Sequence, residues 1–177
     1  MKTEYEVRVL EIDKEKMIET LEGLGAQKIG DWHQKRYVYD IIPKDENSWV
    51  RLRTNGTKTT LAFKSVKAKT VDGTKEAEVE VSSFEETNII LEQMGHYNRG
   101  FQENKRIQYK LDGVEIDIDT WPKIPAYLEI EGSNKAEIDS IIKKLNIDKN
   151  KISTLDVESL YAYYGYDDIH DLKFEEE

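Results

Sequence analysis

The sequence predicts an α+β fold, and three observations carry the prediction. Short segments alternate apolar and charged residues with period two; Asn-Gly and Asp-Gly dipeptides stand between several of them; helix-periodic segments with polar caps separate groups of strands. The charged fraction is 35% of 177 residues, above the ~25% of an ordinary globular domain. Ten Tyr, four Phe and three Trp spread along the chain nevertheless exclude disorder.

The elements follow in order. Tyr5, Val7 and Val9 alternate with Glu4, Glu6 and Arg8 in a first strand. Asp13 is placed to cap a helix carrying Met17, Ile18, Leu21 and Leu24 on one face, and Gly25 ends it. Trp32 to Ile42 reads as a strand of less regular pattern. Val50 and Leu52 alternate with Arg51 and Arg53; beyond Asn55-Gly56, Leu61 and Phe63 alternate with Ala62 and Lys64. After Asp72-Gly73, Ala77, Val79 and Val81 alternate with Glu76, Glu78 and Glu80. Ser83 and Glu86 form a capping box ahead of Ile90, Leu91 and Met94, closed by Gly95. Ile107, Tyr109 and Leu111 alternate with Arg106, Gln108 and Lys110. Asp112-Gly113 then turns the chain into Val114, Ile116 and Ile118, which alternate with Glu115, Asp117 and Asp119. Leu128 and Ile130 alternate with Glu129 and Glu131. Asn134 and Glu137 cap a helix bearing Ile138, Ile141, Ile142 and Leu145; a fourth helix carries Val157, Leu160, Tyr161 and Tyr164. One domain is expected over residues 1–166, and an acidic tail over 167–177 that is either mobile or a short helix.

Acids outnumber bases 36 to 26, for a net charge of −10. That argues against a nonspecific nucleic-acid or anionic-membrane binder, which draws its affinity from an excess of Lys and Arg. No apolar run approaches the ~20 residues that span a bilayer. The opening residues lack the hydrophobic core of a signal peptide, and there is no cysteine, so a cytoplasmic setting is expected.

The charged faces are the informative part. Glu4/Glu6, Glu78/Glu80, Asp117/Asp119 and Glu129/Glu131 each place two acids on one side of a strand, and Arg51/Arg53 with Arg8, Lys64 and Arg106 place cations there. In an open sheet that side simply meets water. In a barrel it points inward, where charges of both signs must stay wet or hold charged ligands. Clustered carboxylates suit a hard divalent cation such as Mg²⁺ or Mn²⁺, guanidinium suits phosphate, and a lining with both suits a metal–polyphosphate. Period two alone does not choose between the open sheet and the barrel. His33, His96 and His170 share no ligand spacing and read as surface or loop residues. Trp121-Pro122-Lys123-Ile124-Pro125 reads as a rigid loop with Trp121 packed at an end of the sheet.

In this order the motifs resemble the CYTH family, also called triphosphate tunnel metalloenzymes. Glu4-Tyr5-Glu6-Val7-Arg8 is similar to its ExExK signature. Trp49-Val50-Arg51-Leu52-Arg53, Thr60-Leu61-Ala62-Phe63-Lys64, Glu78-Val79-Glu80, Lys105-Arg106, Glu115-Ile116-Asp117-Ile118-Asp119 and Tyr127-Leu128-Glu129-Ile130-Glu131-Gly132 follow in sequence, covering residues 4 to about 165.

The resemblance implies an eight-stranded antiparallel barrel enclosing a hydrophilic tunnel, with helices outside. It implies Mg²⁺ or Mn²⁺ held by Glu4 and Glu6 with Glu129 or Glu131, and Glu78, Glu80, Asp117 and Asp119 as further metal or water-positioning candidates. Arg51, Arg53, Lys64 and Arg106 would grip a triphosphate, assisted by Arg8 and by Lys35 or Lys105. Similarity looks greatest to class IV adenylyl cyclases, which turn ATP into cyclic AMP and pyrophosphate. The alternatives are a triphosphatase acting on inorganic, thiamine or nucleoside triphosphate, and a non-catalytic polyphosphate- or nucleotide-binding module. Relatives are often dimers, and the tyrosine-rich fourth helix is a candidate contact. Three positions depart from the family pattern: Arg8 replaces the usual Lys, Arg36 an acid of the second strand, and Glu76 (or Lys75) an arginine. Arginine stays protonated near neutral pH, so at position 8 it retains phosphate binding and loses any general-base role.

Overall fold

A sheet whose strands each carry one apolar and one charged face needs cover for the first and solvent or ligand for the second. The computed structural model, which describes residues 1–175, meets both needs by curling the sheet. The strands are β1 (Lys2–Val9), β2 (Gln27–Asp40), β3 (Ser48–Thr54), β4 (Thr59–Val66), β5 (Thr74–Val81), β6 (Asn98–Leu111), β7 (Val114–Thr120), β8 (Tyr127–Gly132) and the short β9 (Ile152–Ser153). They run antiparallel in the order β5-β4-β3-β2-β6-β7-β8-β1-β9. β1 also pairs with β5, Lys2 opposite Glu76 and Glu4 opposite Thr74, so eight strands close into a barrel. β9 borders the other end of β1, opposite Arg8 and Val9. The α+β class and the eight-stranded antiparallel barrel are both present.

Four helices cover the apolar outer wall: α1 (Lys14–Gly23), α2 (Phe84–Gln93), α3 (Lys135–Lys144) and α4 (Val157–Tyr163). α1 and α3 pack Leu21, Ile138 and Ile141 onto Val7, Val9, Ile116, Ile118, Leu128 and Ile130 of the wall. Each of these side chains, once fully buried, stabilises the fold by about 1.5–3 kcal/mol. α2 docks Phe84 and Leu91 against Tyr39 and Leu52 on the opposite flank. α4 closes a third cluster, Trp121, Tyr127, Leu160 and Tyr161, near the β7–β8 loop.

Three helices begin at the expected caps, where Asp13, Ser83 and Asn134 accept from the backbone N–H of Lys16, Glu86 and Glu137; α4, for which the sequence suggested no cap, is capped by Asp156. An N-cap oxygen satisfies an otherwise orphaned amide. Asn134→Ala is therefore expected to cost about 1 kcal/mol and to lower the melting temperature by about 2–4 °C, read from thermal unfolding.

Three features differ from the sequence expectation. β2 starts at Gln27 and β6 at Asn98, and the two pair along almost their whole lengths with register shifts near Gly30 and Val38. Asp112-Gly113 is a two-residue hairpin turn with φ of 53° and 87°, but Asp72-Gly73 ends a longer loop between β4 and β5. Gly73 is needed there because a Cβ would lie 1.8 Å from the Ala68 carbonyl oxygen. Within the acidic tail, residues 167–175 form no helix; Leu172 pairs in parallel with Gln102 of β6 and is fully buried. Glu176 and Glu177 lie outside the described residues.

Candidate active site

Because Val7, Val50, Leu52, Ile116 and Leu128 face the helices, their sequence neighbours face the barrel interior. β1 thus points Glu4, Glu6 and Arg8 inward, β3 Arg51 and Arg53, and β4 Lys64. β5 contributes Glu76 and Glu78, β6 Arg106, β7 Asp117 and Asp119, and β8 Glu129 and Glu131. Two networks of alternating sign result.

In the first, Lys64 Nζ lies 3.0 Å from both carboxylate oxygens of Glu4 and 3.4 Å from Glu76. Arg51 reaches Glu76 at 3.1 Å and Glu78 at 3.2 Å, and Arg53 reaches Glu78 at 3.7 Å. Burial pushes the Glu4 carboxyl up to about 8 against the pull of Lys64, with Glu76 and Glu6 adding to the rise. Glu76 is lowered, Lys64 and Arg51 outweighing its burial.

In the second, Arg106 is the hub. It donates to Asp117 at 2.6 Å, to both oxygens of Asp119 at 2.9 and 2.6 Å, and to Glu129 at 3.2 Å. Arg8 donates to Glu129 at 2.7 Å, approaches Glu6 at 3.4 Å, and donates to the Leu155 carbonyl at 2.6 Å. Burial opposes ionisation of Glu129, yet Arg8 and Arg106 hold it well below the usual carboxylate range. Asp117 behaves oppositely: burial pushes it up to about 8 despite Arg106.

The acids exceed what the cations neutralise. Across the sheet Glu131 stands opposite Glu6 on β1 and opposite Glu115 on β7, and the nearest cation is Lys2 at 3.8 Å. Like charges directly opposite destabilise a sheet. Burial, then Glu129, Glu115 and Glu6, push Glu131 up to about 7. Asp117 Oδ1 is buried with no hydrogen-bond partner. Among the described residues no three acids stand together as a finished ligand set. The donor chemistry, an excess of carboxylates including an orphaned oxygen, fits a hard divalent cation.

Some expected site residues fall elsewhere. Lys35 and Lys105 have the wrong parity: Lys35 is exposed opposite Glu103, and Lys105 lies over the Phe174 ring outside the barrel. Neither joins the lining. Glu80 is at the rim, exposed and paired with Lys58 at 3.2 Å. The three histidines stay off the tunnel networks; His33 bonds Glu103 at 2.9 Å and His170 bonds Asp168 at 2.8 Å.

Four residues of inner-face parity go beyond the expected set. Glu76 links Lys64 to Arg51, and Glu115, exposed at the rim and accepting from Gln108, stands opposite Glu131. Tyr127 is buried beside Arg8, which lies 6.0 Å from its ring. Arg36 on β2 is buried over Trp121, 4.5 Å from the ring, and donates to Gln34 and Asn104. Burial, then Arg53, Arg51 and Arg106, hold the Arg36 pKa well below the ordinary value. Arginine does not give up its proton in proteins, so the direction measures an electrostatic cost. The signal for Glu76 and Glu115 was the same period-two parity that marked their neighbours.

A cavity of about 840 Å³ is lined by Glu6, Arg8, Arg36, Arg51 and Lys64, with apolar surface from Val38, Trp49 and Trp121. It is roomy enough for a nucleotide-sized ligand. No helix among the described residues is long and apolar enough to cross a membrane.

Comparison with known proteins agrees with this architecture. The PH1012 protein of Pyrococcus horikoshii superposes with a TM-score of 0.77 at 24% identity, over 89% of this chain and 98% of that one. A Vibrio parahaemolyticus protein whose name proposes an adenylate cyclase superposes with a TM-score of 0.75 at 9% identity, over 91% and 98%. The Hippeastrum protein HpAC1, named as a proposed adenylyl cyclase with a dominant triphosphatase activity, gives a TM-score of 0.61 at 16% identity, over 94% and 97%. At these identities the likeness establishes the fold. No curated protein sequence matches this chain significantly. The CYTH domain pattern, however, matches residues 2–156, every strand of the barrel with helices α1 to α3, and the chain belongs to the CYTH family.

Proposed function

We propose that this protein is a metal-dependent enzyme acting on a triphosphate inside its barrel, as a class IV adenylyl cyclase that converts ATP to cyclic AMP and pyrophosphate. The observation that carries the reading is the inner wall, where a carboxylate excess on β1, β7 and β8 meets guanidinium and ammonium groups on β3, β4 and β6. Glu4, Glu6, Glu129 and Glu131 are the residues to hold Mg²⁺ or Mn²⁺, with Asp117, Asp119 and Glu78 as additional oxygen donors. When bound, the cation supplies Lewis-acid polarisation of phosphoryl oxygens.

The remaining chemistry belongs to the chain. Arg51, Arg53, Lys64 and Arg106 exchange carboxylate partners for phosphate oxygens, which accept the same charge-assisted hydrogen bonds. Arg8 stays charged between Glu129 and Glu6 and stabilises negative charge without serving as a base. Shielding from bulk water strengthens each of these contacts. In the cyclase reaction the ribose 3′-hydroxyl gives its proton to an inner-wall carboxylate as its oxygen attacks the α-phosphorus, and the bond from that phosphorus to the departing pyrophosphate breaks. The apolar surface of Val38, Trp49 and Trp121 in the cavity supports a substrate with a base attached.

Hydrolysis is the second reading, favoured by the triphosphatase activity ascribed to the Hippeastrum neighbour. The same grip then presents a terminal phosphorus to water. Incubation with Mg²⁺ or Mn²⁺ and ATP, inorganic triphosphate or thiamine triphosphate separates the readings. Cyclic AMP identifies the cyclase, orthophosphate the hydrolase, and tight binding without product a non-catalytic module. EDTA is expected to abolish turnover; turnover that survives it overturns the metal dependence.

A further inference from the structure

We infer that Arg36 and Arg53 form an oxyanion clamp that seats a terminal phosphoryl group of the substrate. The inference rests on the triphosphate reading and adds to it a residue, a position and an end of the ligand.

The sheet register supplies the first argument. Arg36 on β2 stands directly opposite Arg53 on β3, and both side chains belong to the inner face. Directly opposite residues have Cβ atoms about 4.5–5.5 Å apart, and like charges there repel. Arg51, two residues along on the same face, adds a third positive charge. Nothing about a barrel wall requires this grouping.

Partner choice supplies the second. Arg8, Arg51, Arg53, Lys64 and Arg106 each have a carboxylate within ion-pair distance, although the contact of Arg53 is a long one of 3.7 Å. Among the described residues Arg36 has none: it donates only to the neutral amide oxygens of Gln34, at 3.1 Å, and Asn104. Its Nε is buried without any partner, and the residue is 6% exposed. A buried charge without a directly paired counter-ion is costly, and the Trp121 ring, two amide oxygens and the more distant Asp119 offset only part of it. An anion between Arg36 and Arg53 supplies the missing counter-ion.

The guanidinium is also held in place. Asn104 donates to Asp119 at 2.8 Å, which turns its own oxygen toward Arg36, while Trp121 lies against the guanidinium. Fixing the fork beforehand removes ordering cost from binding. A terminal phosphoryl group carries more charge and one more free oxygen than an internal one, and so matches two facing arginines best.

A structural role for Arg36 makes a different prediction from a clamp, and calorimetry with inorganic triphosphate and Mg²⁺ distinguishes them. Arg36→Gln is expected to weaken binding at least tenfold while the melting temperature of the ligand-free protein stays level or rises. Arg36→Lys, which keeps the charge but not the fork, is expected to lose less. Wild-type affinity in Arg36→Gln overturns the clamp and leaves the triphosphate reading standing. Should Arg36→Gln fail to fold, wild-type affinity in Arg36→Lys overturns it instead. A wild-type protein that binds neither inorganic triphosphate nor ATP removes the triphosphate reading and the clamp together.

Discussion

Arg106→Ala is expected to lower the melting temperature by roughly 10 °C and to abolish turnover. Arg106 satisfies Asp117, Asp119 and Glu129 at once, and its side chain is only 11% exposed. Removing one partner of a buried ionic cluster leaves uncompensated charge and costs about 3–5 kcal/mol. The loss should also depend on pH. Burial already pushes Asp117 up to about 8 with Arg106 present, so without Arg106 its folded-state pKa rises further above the unfolded value near 3.9. A raised acid favours the folded state at low pH, and that contribution is lost as pH rises through the folded pKa. Up to the wild-type value of about 8 Asp117 is protonated in both folded proteins and costs both alike, so thermal unfolding of the variant should show a smaller deficit at about pH 6 than at about pH 9.5. A deficit independent of pH would contradict this account. Arg106→Lys should recover only part of the loss, since an ammonium lacks the fork that engages Asp119 through two nitrogens.

The second large effect is on catalysis alone. Glu6→Gln keeps the shape of the side chain and forfeits only a 3.4 Å contact to Arg8 within the ion pairs. The melting temperature is expected to change little, while kcat falls roughly 100-fold or more, because a metal contributes several kcal/mol of charge stabilisation. Glu4→Gln should behave similarly in kcat but with some cost in stability, since Glu4 holds Lys64 with both oxygens. Unchanged turnover in both variants removes the assigned metal site. Steady-state kinetics alongside thermal unfolding makes the check.

Local alternation was enough to sort charged from apolar faces on most strands, which is why Glu4, Glu6, Arg51, Arg53, Lys64, Arg106, Asp117 and Glu129 converge as the parity implied. The same rule places Lys105 outside once Arg106 is inside. Lys35 was less legible because β2 has a register shift near Gly30 and polar residues on both faces before Gln34. The closed barrel could not be read at all from local pattern. Closure depends on Lys2, Thr3 and Glu4 meeting residues 74–76, a match of distant segments with no short-range signature. Arg36 was visible as a departure from the family pattern, but its missing counter-ion became apparent only when the register set it opposite Arg53.

The position of β1 has a kinetic consequence. It is the first strand of the chain, yet it is held by β8, with Tyr5 opposite Gly132, and by β5, with Glu4 opposite Thr74. Pairings so remote in sequence incur loop-closure entropy before they return any contact energy, and folds dominated by them fold in about milliseconds to seconds. A nascent chain carries β1 without its principal partner until Gly132 has emerged. Until then its edge is open to foreign strands. Dehydration of the inner charges is deferred to the same late step, so the tunnel and the barrel are completed together.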